Sequence, residues 1–423
     1  MKITILTSGT RGDLQPYLAL GVGLKQAGHQ VKMVASLDFE AFIRSYGLDF
    51  YPLQINMAQV MDNEDVQAVL EAGNPLKGLL LQQQLMKSHS HKDLMQTDMW
   101  NACQDADAII YHPGLPNGYY FARRLGIPCV MASPIPMSPT GDYPSLLFYD
   151  GPRLGRVYNQ LTHRLFEQVF WQMTGSPLKS FWRDMGQEET ISGFPPYEKQ
   201  RKEGLPILYG YSQHVLPRPK DWTANLNITG YWFLDAAPGW QPPASLVDFL
   251  QSGEPPVYIG FGSMGNKNRA RESTEIALEA LAITGKRGVL VSGWNSLSED
   301  IKLPDNIFII KDVPHSWLFP QMAAVVHHGG AGTAAAGFRA GIPSVIIPHG
   351  MDQPMWGRCA AELGVGAPPI PRKHLSARNL AEAIKLSLGS DIRNRARELG
   401  KKISGEDGAG RAVELIQQAL YKR

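Results

Sequence analysis

The residues best suited to chemistry stand where an apolar run meets glycines. Val325-Val-His-His-Gly-Gly-Ala-Gly-Thr333 leads into Ala-Ala-Ala-Gly-Phe-Arg-Ala-Gly-Ile-Pro343. The pattern reads as strand, glycine turn, helix. Helix N-termini expose unpaired N–H groups and a positive dipole end. Glycines let a phosphate approach the backbone closely. His328 can donate to a phosphate oxygen, and Thr333 adds a hydroxyl. The same residues also make an ordinary tight turn, so taken locally both readings stand. Further on comes Pro348-His-Gly-Met-Asp352-Gln353-Pro354. An adjacent carboxylate and amide suit the neighbouring hydroxyls of a hexose, which want acceptors and donors. Asp352 is equally a good N-cap, with Pro354 in the first turn of the next helix. The two roles are compatible, because capping uses only part of a carboxylate.

Such residues need a scaffold. Lys2–Thr7 reads as a strand, Gly9–Asp13 as a turn, and Leu14, Tyr17, Leu18, Gly21 and Leu24 as one face of a helix that ends at Gly28. Gln30–Ser36 is the next strand. Strand–helix–strand units of this kind predict an α/β protein with parallel, doubly wound sheets. Further strands are expected at Ala108–His112, Pro128–Ala132 and Ile207–Tyr211. The Pro- and Gly-rich stretch 236–245 reads as a linker. A second series follows: strands at Val257–Phe261, Gly288–Ser292, Ile307–Ile310, Ala323–His327 and Ser344–Ile347, with helices near Glu272–Thr284 and from Thr333. Between the two series, Leu161, Leu165, Phe166, Val169, Phe170 and Met173 recur as one apolar helical face. This is either core or the wall of an apolar pocket.

Composition narrows the classes. The chain has 423 residues, 41 Lys and Arg against 39 Asp and Glu, and a formal net charge of +2. That balance gives no global field for nucleic acid. The three cysteines, Cys103, Cys129 and Cys359, have neither disulfide-ladder nor zinc spacing, and a reducing cytoplasm is expected. The N-terminus does not read as a signal peptide, and no run approaches the ~20 apolar residues of a membrane span. The basic and aromatic mixture in 153–183 fits either a peripheral membrane contact or an ordinary solvated helix. Asp105-Ala-Asp107 has metal-binding spacing but precedes a strand away from the glycine segment, so no metal site is expected. His89 and His91 lack further ligands nearby. There is no Walker lysine and no GxGxxG.

Together these segments resemble UDP-sugar-dependent glycosyltransferases of the GT-B type, closest to the branch of sterol 3β-glucosyltransferases and antibiotic glycosyltransferases. The resemblance runs over nearly the whole chain: Gly9-Thr-Arg-Gly-Asp-Leu-Gln-Pro16, Tyr158-Asn-Gln-Leu-Thr-His with Phe166-Glu-Gln-Val-Phe-Trp171, Tyr258-Ile-Gly-Phe-Gly-Ser-Met264, Ser292-Gly-Trp294 and Val313-Pro-His-Ser-Trp-Leu-Phe-Pro320. It implies two facing Rossmann-like domains with a cleft between them. Residues 1–235 would bind the acceptor and 246–405 the nucleotide sugar, while 406–423 would form a helix packing back on the first domain. It implies transfer of a hexose, as from UDP-glucose, to a hydroxyl of an apolar acceptor such as a sterol. Inversion is expected, with no metal and no cofactor beyond the co-substrate. A polyketide or phenolic acceptor, an epimerase on the same fold, and a non-catalytic nucleotide-sugar binder are the alternatives.

The resemblance also implies roles. His328 with the amides around Gly330, Gly332 and Thr333 would hold the diphosphate, helped by Ser263. Val313 and Trp294 would flank the base, and Asp352 and Gln353 would hold the sugar. Thr10 and Arg11 would reach the phosphates. Plant relatives place a ribose-binding glutamate where this chain has Ala336, so ribose contacts must come from elsewhere. Asp13 stands where plant relatives carry a catalytic histidine, and His112 where they place its orienting aspartate. Either Asp13 is the general base that the attacking hydroxyl requires, or His112 is the base and Asp13 holds its other nitrogen.

Overall fold

The computed structural model describes residues 1–7, 9–63, 91–185, 194–237, 239–261, 269–293, 297–298 and 301–421. Ser263, Trp294 and His89 lie outside them. The chain divides into two compact units. One comprises Met1–Gln213, Pro217–Leu234 and Asp407–Arg423; the other comprises Asp235–Glu406 with His214–Leu216.

In the first unit, seven parallel strands are β1 (Lys2–Leu6), β2 (Gln30–Ser36), β3 (Asp49–Leu53), β4 (Ala108–Tyr111), β5 (Cys129–Ser133), β6 (Ile207–Tyr209) and β7 (Leu226–Ile228). They lie in the order β3-β2-β1-β4-β5-β6-β7. The second unit holds a parallel sheet of β8 (Val257–Gly260), β9 (Gly288–Val291), β10 (Ile307–Ile310), β11 (Ala324–His327) and β12 (Ser344–Ile346), in the order β10-β9-β8-β11-β12. Strands covered on both faces read as continuous apolar runs. Val257, Ile259, Ala324 and Val326 pack into one core layer, and Tyr258 and Val325 into the other.

This topology has a functional consequence. In each sheet the chain builds outward on one side, then returns to the other side of its first strand. Ligands bind at the carboxyl ends of the strands flanking that reversal. The flanking pairs are β1 with β4, which carry the loops to Asp13 and His112, and β8 with β11, the latter carrying the loop to His328.

Several expectations need correction. Asp13 lies not in a turn but in the first turn of helix α1 (Arg11–Gln26), capped by Thr10. The apolar face expected in 161–173 splits on helix α2 (Arg156–Asp184). Phe166 is buried, while Leu161 and Leu165 are 58% and 52% exposed. The edge strands β3 and β7 escaped the sequence reading. β3 carries Pro52, which edge strands tolerate and central ones do not, and β7 is three residues long. The terminal helix Gly408–Tyr421 belongs to the first unit and lies against α1. Gly23 there leaves room for Val413, whose methyl a β-carbon would meet at 3.0 Å.

Candidate active site

The end of β1 turns through Gly9, whose φ of +117° suits glycine alone. Thr10 N–H donates to Asp13 Oδ2 at 2.8 Å, and the Thr10 hydroxyl donates to the same oxygen at 3.2 Å. A β-carbon on Gly9 would lie 2.3 Å from that oxygen, so the carboxylate is folded down over the glycine. Arg11, expected at the phosphates, places its guanidinium 4.7 Å above the Phe42 ring.

At the end of β4, His112 N–H donates to Leu6 O at 3.1 Å, tying the two loops together. Its Nδ1 accepts the Gly114 N–H at 2.9 Å. The neutral ring therefore carries its proton on Nε2. Burial lowers the pKa of this histidine, and the nearby Asp13 carboxylate partly opposes that. The ring is then a neutral N–H donor with no spare basic nitrogen. For His112 to act as base, its Nδ1 would have to give up the Gly114 bond and carry the proton. No hydrogen bond joins Asp13 to His112 among the described residues.

An aromatic wall stands beside them. A β-carbon on Gly114 would touch the Phe170 ring at 3.6 Å. Phe170 stacks on Phe166 with centroids 5.5 Å apart and tilts against Tyr197 at 6.4 Å. The pair Glu167–Arg201 anchors this part of α2, with Oε1 2.5 Å from Nη1 and both side chains largely buried.

In the second unit, β11 ends at His327 and turns through Gly329, at φ +91°, into helix α3 (Ala331–Ala340). His327 Nδ1 accepts the Gly329 N–H at 3.0 Å, which braces the turn. The His328 ring lies over the start of the helix, since a β-carbon on Gly330 would sit 2.5 Å from its Nε2. Its Nδ1 is buried with no partner among the described residues. Burial, then the neighbouring His315, pushes its pKa down to about 4. A neutral imidazole with an unanswered nitrogen, beside the amides of Ala331, Gly332 and Thr333, suits a bound anion. The Thr333 hydroxyl bonds no other described residue.

Asp352 and Gln353 open helix α4 (Gln353–Glu362). Gln353 Oε1 accepts the N–H groups of His349 and Gly350 at 2.7 and 3.2 Å, leaving the amide NH2 to act elsewhere. Asp352 Oδ2 accepts from the indole of Trp356 at 2.7 Å. Met351, just before, holds a left-handed φ of +53°. Sequence reasoning missed Trp356. The signal was its place four residues after Asp352, on the same helix face. The Val313 side chain is buried in the core, so a base flanked by this residue would meet its backbone. Of the metal-spaced pair, Asp105 binds Lys32 at 2.5 Å and Asp107 accepts the Lys2 N–H at 2.7 Å.

Two doubly wound parallel sheets, with an anion-ready helix start in the second, define the GT-B glycosyltransferase class. A family 28 glycosyltransferase N-terminal domain matches residues 3–137, and an erythromycin biosynthesis protein CIII-like C-terminal domain matches 281–409. The sterol 3-beta-glucosyltransferase of Arabidopsis thaliana is 34% identical over 99% of this chain and 68% of its own length. One from Aspergillus terreus is 35% identical over 99% of this chain, which spans only 30% of that protein. Among solved structures, the glycotransferase of kitacinnamycin superposes with a TM-score of 0.68 at 20% identity, covering 99% of this chain and 98% of its own. Glycosyltransferase VinC, in complex with DTDP, gives 0.66 at 19% identity over 99% of both chains. The chain belongs to the sterol 3-beta-glucosyltransferase family of glycosyltransferases.

Proposed function

We propose that this enzyme transfers glucose from UDP-glucose to the hydroxyl of a sterol, with inversion and without a metal ion. The observation that carries the reading is the Asp13 carboxylate, which Thr10 holds at the end of β1 and whose charge reaches the buried His112 beside an aromatic wall. In the proposed step the acceptor oxygen attacks the anomeric carbon as Asp13 takes its proton. The bond to the diphosphate breaks, and UDP leaves with the electron pair. Carboxylates are weak bases for alcohols, so transfer comes late, as the hydroxyl becomes acidic. The neutral His112 stands near the carboxylate, whose charge partly offsets the effect of burial on the ring. Phe170, half-buried beside the Gly114 loop and backed by Phe166, offers the flat apolar contact a sterol ring wants.

Residues 246–405 are proposed to bind the donor and 1–235 the acceptor. The helix-start amides, the neutral N–H of His328 and the Ser263 hydroxyl meet the charge that builds on the leaving diphosphate. An arriving diphosphate favours protonated His328, so binding raises its pKa from about 4. Trp294 and the Val313 backbone are proposed at the base, Asp352 and Gln353 at the sugar, and Thr10 with Arg11 at the phosphates. A cytoplasmic setting is proposed, supported by three free cysteines. Among the described residues no helix is long and apolar enough to cross a membrane.

The test is turnover of the purified chain with UDP-glucose and TDP-glucose against sterols, phenols and polyketides, read by nucleotide release and product mass. One added hexose on a sterol supports the reading. Release with product only on another acceptor moves the acceptor class. UDP binding without release on any acceptor returns the chain to a non-catalytic binder.

A further inference from the structure

Trp232, Tyr17 and His112 form a chain of rings in the first unit. Tyr17 stands on α1 four residues after Asp13, and so on the same face of that helix. It is fully buried. A buried phenol needs a partner for its hydroxyl, and this one donates to Ala132 O in β5. The strands lie in the order β1-β4-β5. Tyr17 comes from the helix after β1 and reaches β5, so it passes the end of β4, where His112 leaves the sheet. The two rings meet there edge to face, with centroids 5.7 Å apart and planes at 65°.

Tyr17 is itself held. The Trp232 indole meets it at 5.9 Å and 67°. Trp232 follows β7, and its Nε1 donates to Thr229 Oγ1 at 2.8 Å. Gly210 leaves the space for it, since a β-carbon there would meet the indole at 2.6 Å.

The His112 ring needs such a support. Its Nδ1 accepts from Gly114 N–H at 2.9 Å, and no described residue bonds its Nε2. One hydrogen bond fixes a nitrogen but leaves the ring plane free to turn about that bond. The Tyr17 contact removes this freedom. It also keeps water from the imidazole. Burial is the larger influence that lowers the pKa of this histidine, and Asp13 on α1 is the charged group that opposes it.

We infer that Tyr17, backed by Trp232, is a positioning residue that sets the orientation of the His112 imidazole near Asp13. The inference rests on the reading of Asp13 and His112 as the catalytic end of the first sheet. In that reading, a ring that turns or takes up a proton changes the field at the carboxylate and with it the basicity of Asp13. An aromatic that merely filled the core would leave His112 unmoved when truncated.

The test compares Tyr17→Leu and Tyr17→Phe with Phe121→Leu. Phe121 is fully buried too, among Trp100, Phe181 and Trp182. Turnover with UDP-glucose and detergent-dispersed sterol is measured beside thermal melts. Nitrogen NMR of the imidazoles, without donor or acceptor, follows His112, whose signal is assigned by its loss in His112→Gln. Tyr17→Leu should lower kcat about ten- to a hundredfold, with little change in the sterol KM. Its His112 signal should titrate nearer the ordinary ~6.5 than in wild type. Tyr17→Phe keeps the ring and should restore most of kcat and the wild-type titration. Phe121→Leu should lose comparable thermal stability, with kcat and titration as in wild type. Trp232→Leu, one ring further back, replaces Tyr17→Leu if that protein does not fold, and should move both readouts the same way. A Tyr17→Leu enzyme with wild-type kcat and titration overturns the inference. So does Phe121→Leu losing as much kcat, which would make the loss one of packing. Full turnover in Asp13→Asn would sink the catalytic reading instead, and the His112 titration would then decide by itself whether Tyr17 holds the ring.

Discussion

Gly9→Ala perturbs the proposed base without touching its chemistry. A β-carbon there would lie 2.3 Å from Asp13 Oδ2 and 2.8 Å from its Cγ. Non-bonded contact begins near ~3.5 Å, so the carboxylate must retreat by about 1 Å. That stretches the 2.8 Å bond from Thr10 N–H beyond hydrogen-bond range. A misplacement of about 1 Å near a reacting centre costs roughly a hundredfold in rate. The left-handed φ of +117° adds about 1–2 kcal/mol of strain for alanine. We expect kcat to fall about a hundredfold, and UDP affinity to change much less, as far as Thr10 and Arg11 move with the loop. Gly12→Ala is the control. Its β-carbon would meet only Thr10 Oγ1, at 3.7 Å, and its helical position favours alanine. Steady-state turnover, calorimetric UDP binding and thermal melts on all three proteins are the assay. A folded Gly9→Ala enzyme within threefold of wild-type kcat would refute the placement of Asp13 as base.

Three further outcomes are expected. Asp13→Asn should lower kcat by about 10²–10⁴, and His112→Gln, which keeps an N–H donor, should retain more activity than His112→Ala. Equal and full turnover in both His112 variants would leave Asp13 acting by itself. Trp356→Phe removes the indole donor to Asp352 Oδ2, a charge-assisted bond worth about 1.5–3 kcal/mol. The donor KM should rise about 10- to 100-fold, more than kcat falls; an unchanged KM would mean Asp352 serves only as a cap. Stability should fall on acidification. His163 is buried against Tyr143 O, and burial pushes its pKa to about 4 from 6.5. The unfolded chain takes up a proton that the folded chain refuses, so stability is full above pH 6.5 and is lost as the pH falls towards 4. The loss is at most about 3 kcal/mol for this residue. His163→Phe should flatten urea melts measured from pH 7 to 4.5.

Much of the fold was legible because parallel strands buried on both faces are continuous apolar runs. β2 and β10 lie where the sequence placed them, and β8, β9, β11 and β12 differ by a residue or so at an end. The glycines at 329 and 330 were legible for a related reason. A backbone turning from strand to helix at φ +91°, and a histidine ring pressed to 2.5 Å of where a β-carbon would stand, leave little choice of residue. β3 was hidden because its proline is permitted only at an edge, and being an edge is a property of the finished sheet.

What only the tertiary structure decided concerns directions. The sequence by itself determined a strand–glycine–helix turn, a carboxylate after the first strand and an imidazole after the fourth. It could not say that Gly114 donates to His112 Nδ1, which fixes the tautomer and makes the ring a donor. Nor could it say that Val313 turns inward, or that Leu165 and Phe166, adjacent in sequence, face opposite ways. Residue type and spacing survive in a one-dimensional string. A proton's position and a side chain's outlook depend on neighbours that arrive from distant parts of the chain only when it folds.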